Sequence, residues 1–320
     1  MLNSSKLVSF CIPAYNAERT IKATLASICA QTYLEIEIIV IDDGSYDNTF
    51  LCAKGIEDPR VFSYRINNSG AAAARNEAYK RSNGEFIIFF DADDIIPVDF
   101  LANQIHKLDG RKKSLVMSGW GRFYDDSLET FSENFIPSGT LTFVEWIEQY
   151  WMDCNPMTNP GRALLPRDLV EEAGLWDETL SLNDDLEFFT RVFAKCDSII
   201  LNPSSKLYYR SGHYGISAQK NGSAYQSLAT SVIMATRLAV KIFPNNKMVK
   251  AASANMLKSC VYEIYPSSQS LVATLEKEIS KLVPPTVKFQ SSGVTGILKL
   301  LLGWKLTKKL KLALAKGRYA

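Results

Sequence analysis

The sequence predicts an α/β fold, with a mostly parallel central sheet flanked by helices and a helical C-terminal extension. Three observations carry that prediction: continuous apolar runs of strand length, helix-patterned segments between them, and turn residues at the junctions. Leu7 to Ile12, Ile36 to Ile41 and Phe86 to Phe90 are apolar runs broken only by Ser9 and Glu37, the pattern of strands buried on both faces of a parallel sheet. Between the first two, Ile21, Leu25 and Ile28 recur at helical spacing, and Ala71 to Arg81 is dense in good helix formers. Asp43-Gly44-Ser45, Asn67-Asn68-Ser69-Gly70 and Asn83-Gly84 supply the turns that crossover connections need. From about residue 110 the rhythm weakens. It returns near Asn183, where Leu186, Phe189 and Val192 or Phe193 mark one helical face. Past residue 220 the pattern is helical, broken at Pro244, Pro266 and Pro284-Pro285, so the expected division is a catalytic domain over 1–220 and a helical extension over 221–320.

The chain has 320 residues, 47% apolar and 11% aromatic, with 36 basic against 34 acidic side chains. That is enough to bury a large core, and it excludes disordered, collagen-like and small disulfide-stapled classes. The six cysteines are scattered with no CxxC pair, which points away from zinc clamps and dithiol chemistry and toward a reducing cytoplasm. No apolar run matches a signal-peptide core, and none reaches the ~18 to 20 residues of a membrane span. Charge is unevenly placed. After Glu278 there are nine basic and no acidic side chains, so a chain of net +2 carries −7 outside its last 42 residues.

The chemistry-bearing residues gather at expected C-terminal ends of strands, where ligands of open α/β sheets collect. Pro13-Ala14-Tyr15-Asn16 follows the first run, Asp42-Asp43-Gly44-Ser45 the second, and Asp91-Ala92-Asp93-Asp94 the strand at Phe86 to Phe90. The Asp42 to Ser45 stretch also reads as a turn with a helix cap from Ser45 or Asp47. Three carboxylates at Asp91, Asp93 and Asp94 repel one another, and a hard divalent cation, Mg²⁺ or Mn²⁺, would neutralise them. A cap from Asp94 with Pro97 in the first turn accounts for only one of the three. Asn68-Ser69-Gly70 opens the alanine-rich helix with its anion-attracting N-terminus, and Arg75 adds a forked donor.

In this order and spacing the residues from Leu7 to about Ser217 resemble the family 2 inverting glycosyltransferases, whose nucleotide-sugar-binding fold is termed GT-A. The matching pieces are Ile12-Pro13-Ala14-Tyr15-Asn16, Val40 to Ser45 with Asp47, Asn68-Ser69-Gly70 leading to Ala74-Arg75-Asn76, and Asp91-Ala92-Asp93. A later family signature, Gly-x-Phe-Asp-Glu followed by Glu-Asp, is similar to Gly174-Leu175-Trp176-Asp177-Glu178 and Asp184-Asp185, with tryptophan for phenylalanine and aspartate for glutamate. The resemblance implies that Asp185 is the general base, with Asp184 in reserve, and that Asp93 and Asp91 hold the metal. As a plain helix start, the same two acids would simply favour the helix dipole. The resemblance further implies that Pro13, Ala14 and Tyr15 line the base, that Asp43 accepts the uracil imide, and that Asn68, Gly70, Arg75 and Ala92 complete the nucleotide site. His213, in Tyr208 to Ser217, is similar to a Tyr-Arg-x-x-His segment that reaches the diphosphate or the metal; a packed or surface imidazole is the other reading.

The expectation is thus a metal-dependent inverting transferase that moves a sugar from a UDP-sugar to a glycan or lipid-linked saccharide in bacterial surface polysaccharide assembly. A sugar nucleotidyltransferase would want a glycine-rich loop after the first strand, which Pro13 to Asn16 is not; a catalytically silent assembly partner would not need Asp43, Asp91, Asp93 and Asp185. The leucine and lysine pattern from Gly296 to Lys316, with Leu302, Leu306 and Leu310, suits either an interfacial helix on anionic lipid or a terminal helix with solvated lysines. The location expected is cytoplasmic, with peripheral membrane contact through this tail. Nucleic-acid binding is not expected, since no aromatic and basic sheet surface accompanies it.

Overall fold

The computed structural model describes residues 6–156, 158–212 and 222–316. They form two compact units, Met1–Trp146 with Met157–Gln219, and Ile147–Pro156 with Lys220–Ala320.

The first unit is built on one sheet. Strands β1 (Val8–Ala14), β2 (Ile36–Asp42), β3 (Val61–Arg65) and β4 (Phe86–Phe89) lie parallel in the order β3-β2-β1-β4. Every residue of β2 and β4 is buried, so these runs are covered on both faces; Glu37 is accommodated by accepting from Ser9 Oγ at 2.6 Å and the Gly84 amide at 3.1 Å. Register pairs Ala14 with Asp42 and Asp42 with Arg65, so the loops leaving β1, β2 and β3 emerge along one edge. Helices α1 (Ile21–Cys29), α2 (Thr49–Lys54), α3 (Ala71–Arg81) and α4 (Phe100–Leu108) make the crossovers. Ile21, Leu25 and Ile28 of α1 pack into a core with Phe10, Ile38, Ile88 and Phe90, and Phe10 meets Phe90 edge to face at 5.9 Å.

The other half of the sheet is where the sequence pattern weakened. Strand β8 (Ala163–Pro166) runs antiparallel between β4 and β5 (Ser114–Tyr124). Strand β9 (Ser198–Arg210) lies parallel to β5, while β6 (Ser127–Asn134) and β7 (Gly139–Leu141) add antiparallel partners. Gly119 and Gly121 interrupt the apolar run of β5. A Cβ on Gly121 would sit 2.4 Å from the Ser132 carbonyl and 2.6 Å from the Phe131 ring, so close cross-strand approach requires glycine there. Helices α5 (Phe143–Trp146), α6 (Arg167–Ala173) and α7 (Asp184–Phe193) complete this unit.

The second unit is helical: α8 (Gly222–Ile242), α9 (Lys247–Ile264), α10 (Gln269–Ile279) and α11 (Val294–Lys316). Asn246 caps α9 by accepting from the amides of Met248 and Val249, and Ser268 caps α10 through Leu271. Pro244, Pro266 and Pro284-Pro285 fall between helices, as the pattern predicts. Among the described residues no helix is long and apolar enough to cross a membrane.

Candidate active site

Each loop at the strand ends is tied to its neighbour by side chains. The Asn16 amide donates to Ser45 Oγ, Ala17 to Thr49 Oγ1, and Tyr46 donates its amide to Asn16 Oδ1. Tyr15 is 46% exposed and meets the 88% exposed Tyr46 edge to face at 6.4 Å, leaving two unburied aromatic rings at the end of β1. Pro13 is half-buried beside them, whereas the Ala14 methyl is buried and its carbonyl accepts from the Asp43 amide at 2.8 Å.

Asp43 organises the next loop. Its carboxylate accepts from the backbone amides of Ser69 at 2.7 Å and Gly70 at 2.9 Å, and from the Asn68 side chain at 3.2 Å. Burial pushes its carboxyl up, against the pull of those amide bonds. With two acceptor sites per oxygen, the carboxylate still has capacity for a ligand N–H. Gly44 makes the approach possible: its φ is +71° and a Cβ would lie 2.8 Å from the Asn68 nitrogen. Gly70, at φ +92°, sits at the N-cap of α3, and a Cβ there would meet nothing within 4 Å.

Arg75 lies one turn into α3 with its side chain 8% exposed. Its guanidinium holds Asp184 at 2.8 Å with one nitrogen and Asp91 at 2.9 Å with another, and stacks over Trp176 at 4.5 Å. The donor expected to face an anion is therefore already committed to two carboxylates, because the strand end of β4 and the start of α7 converge on α3. Trp176 is stacked face to face with Phe188 of α7 at 4.1 Å, and its backbone is clamped by the Asn76 side chain through two bonds of 2.9 and 3.0 Å. The tryptophan in the Gly174 to Glu178 stretch thus supports the guanidinium from below.

Asp185 follows Asp184, and its carboxylate accepts from Thr158 Oγ1 at 2.9 Å. Burial raises its carboxyl, and the Thr158 bond and the Arg75 charge pull the other way. Asp184 is pushed up to about 6, burial outweighing Arg75, with the Asp185 and Asp91 charges adding to the rise. Asp91, Asp184 and Asp185 are thus one electrostatic cluster, assembled across a single arginine.

The Asp91 to Asp94 turn divides in two. Asp91 and Asp93 remain half-buried at the strand end, and the Ala92 carbonyl between them accepts from Thr20, just before α1, and Thr24 within it at 3.0 and 3.1 Å. Asp94 corrects the expectation that all three acids ask for a cation. It is fully buried, accepts from the Arg210 amide at 3.0 Å and the Asn159 side chain, and burial with its two neighbouring acids raises its carboxyl well above the usual range. Burial and the neighbouring acids favour its protonated form, which asks for no counter-ion. Nor does it cap a helix, since α4 starts at Phe100 after Asp99. Arg210 also donates to the Asp93 carbonyl at 2.7 Å and pairs with Asp126, pinning the turn from β9.

Among the described residues no three His, Cys, Asp or Glu side chains form a metal-holding group. Two carboxylates at one strand end nonetheless fit Mg²⁺ or Mn²⁺, which take one or two protein carboxylates and complete their shell with substrate phosphates and water. His213 lies outside the described residues. A surface cavity of about 350 Å³ lined by His106, Lys107, Arg111 and Ser138 shares none of these site residues. Thr158, Tyr46, Asn76 and Arg210 escaped the sequence reading. Asn76, Tyr46 and Arg210 lie within or beside the matching stretches without a role of their own there, while Thr158 lies in a segment where no local pattern marked a partner.

A parallel half-sheet whose strand ends gather acids and a glycine-opened helix is the GT-A architecture of nucleotide-sugar transferases. Solved structures share it: S. aureus TarS 1-349 in complex with UDP-GlcNAc aligns with a TM-score of 0.60 at 16% identity, covering 86% of this chain and 88% of that one. The Glycosyl transferase family 2 profile matches residues 9–170, and the chain belongs to that family. Among curated relatives, the Escherichia coli UDP-Glc:alpha-D-GlcNAc-diphosphoundecaprenol beta-1,3-glucosyltransferases WfaP and WfgD are each 44% identical, over 33% and 46% of this chain and 43% and 58% of theirs. The putative teichuronic acid biosynthesis glycosyltransferase TuaG of Bacillus subtilis is 35% identical over 39% of this chain and 51% of its own. The chain spans about half the length of the curated relatives it matches.

Proposed function

We propose that this chain transfers a sugar from a UDP-sugar to a saccharide or lipid-linked saccharide acceptor in surface polysaccharide assembly, with inversion and with a divalent metal. The observation that carries the reading is Arg75, which joins Asp91 at the donor edge to Asp184 beside Asp185. The relatives support the donor and acceptor classes, being named for UDP-glucose and a diphosphoundecaprenol-linked sugar. Peripheral contact with the inner face of the plasma membrane belongs to the same proposal.

In this mechanism Tyr15 and Pro13 bound the uracil and Asp43 accepts its imide N–H while keeping the Asn68 to Gly70 loop in place. Asp93 and Asp91 hold Mn²⁺ or Mg²⁺, which when bound supplies positive charge to the leaving diphosphate. Asp185 takes the proton of the attacking hydroxyl on the face opposite the leaving group. Burial makes it the stronger base, while the Thr158 hydrogen bond and the Arg75 charge favour its ionised form. Asp184, held by Arg75, sets the start of α7 and so the position of its neighbour. A single displacement with one base inverts the anomeric centre.

The test is a pair of variants with UDP and Mn²⁺ binding measured beside turnover. Asp185→Asn is expected to abolish transfer and spare UDP binding, whereas Asp93→Ala weakens the Mn²⁺-dependent part of UDP binding. Near-wild-type turnover in Asp185→Asn overturns the base assignment.

A further inference from the structure

Helix α11 has one face anchored and another left open. On the anchored side Trp304 packs against Tyr262, Tyr265 and Phe289 with ring centroids 4.8, 5.1 and 5.9 Å away. Thr307 is buried, and the Lys308 ammonium donates to the carbonyls of Tyr262 and Glu263. Positions 304, 307 and 308 share a helical face. Lys305 and Lys309 border it, exposed but with their ammonium groups 5.7 and 5.9 Å from the Tyr265 ring, while Leu306 and Leu310 lie farther round the helix. Ile297, Leu300 and Leu301, at i, i+3 and i+4, are 62, 84 and 75% exposed. After the bend at Gly303, where φ is +72°, Leu306, Leu310 and Leu314 continue at four-residue spacing with Lys305 and Lys309 alongside.

Eight of the twenty exposed large apolar side chains among the described residues lie in this helix, so they form a patch rather than the usual scatter. No acidic residue follows Glu278. An apolar stripe bordered only by cations, on a helix too charged to span, complements a surface that is anionic outside and apolar beneath. A protein partner would meet the lysines with carboxylates but would not require a stripe free of any acid along the whole terminal segment.

We infer that the open face of α11 is a lipid-docking surface for an anionic bilayer, with Ile297, Leu300 and Leu301 entering the acyl boundary and Lys305 and Lys309 at its border meeting the headgroup phosphates. The inference specifies the membrane contact named above and stands apart from the chemistry: a chain inactive on every donor would still bind vesicles, and an active one need not.

The experiment is co-sedimentation of the full chain with vesicles of equal parts phosphatidylglycerol and phosphatidylcholine, against pure phosphatidylcholine, at low and high salt. Binding is expected to the anionic vesicles alone and to weaken with salt. Lys305→Glu/Lys309→Glu is expected to lower partitioning by about 25-fold or more, near fivefold for each lysine lost. Ile297→Ser/Leu300→Ser/Leu301→Ser lowers it at least about tenfold. The melting temperature of the leucine variant should be unchanged, because these side chains are exposed. Equal binding to neutral vesicles, no binding, or insensitivity to both variants overturns the inference. So does a concentration-dependent dimer dispersed by the serine variant, which would make the stripe a contact between copies.

Discussion

Replacing Arg75 by methionine keeps an apolar stem of similar length and removes the cation that Asp91 and Asp184 share. Removing one partner from a buried pair costs about 3–5 kcal/mol, because the remaining charge has lost its compensation. Here the lower half of that range applies, since the Asp91 side chain is 26% exposed and partly solvated while Asp184 is 11% exposed. At about 2–4 °C per kcal/mol for a domain of this size, the melting temperature should fall by about 6–15 °C. The loss must depend on pH. Burial holds Asp184 up to about 6, above its ordinary 3.8, so its contribution to folding is fully present below the ordinary value and is lost as pH rises through 6. Arg75 is the force that opposes this rise, so the variant should differ least from wild type near pH 4, where Asp184 is protonated in both, and most above pH 6. Urea unfolding at both pH values measures it, and Arg75→Met/Asp184→Asn should recover about half of the loss at the higher pH. A penalty under about 1 kcal/mol, or one equal at the two pH values, would refute the shared-arginine account.

Thr158→Val removes the hydroxyl that donates to Asp185, a bond to a charged group worth about 1.5–3 kcal/mol. Since that bond favours the ionised form, turnover at neutral pH should fall about 10- to 100-fold, with the acidic limb of the pH-rate profile moved upward; Thr158→Ser should restore both, and an unmoved limb would leave Thr158 a packing residue. Gly44→Ala combines a left-handed backbone with a Cβ 2.8 Å from the Asn68 nitrogen. It should cost at least about 1–2 kcal/mol in thermal unfolding and weaken UDP binding by displacing the loop that Asp43 holds.

The parallel half of the sheet was readable because its evidence is local. The strands buried on both faces, β1, β2 and β4, are nearly all apolar, whereas half-exposed β3 left no such run; Gly44, Gly70 and the Asn-Gly turn mark where the backbone must bend. The antiparallel half was not, because Gly119 and Gly121 break the apolar run of β5 and its partners β8 and β9 are far along the chain. The same limit governed the charges: crowding after Phe90 signalled that three acids need explaining, but not that Asp94 turns inward to the Arg210 amide.

From the amino-acid order alone come three of the parallel strands, the family resemblance and the sets of acids at two strand ends, since each is written in neighbouring residues. Folding decided which acid meets which base. Arg75 finds Asp184 across 109 residues and Thr158 finds Asp185 across 27, and no spacing rule reports such pairs, because their energy comes from burial together in a common site. The tail shows the same division: its composition announces a cationic, leucine-rich helix, but only the packing of Trp304 and Thr307 selects which of its faces is left open.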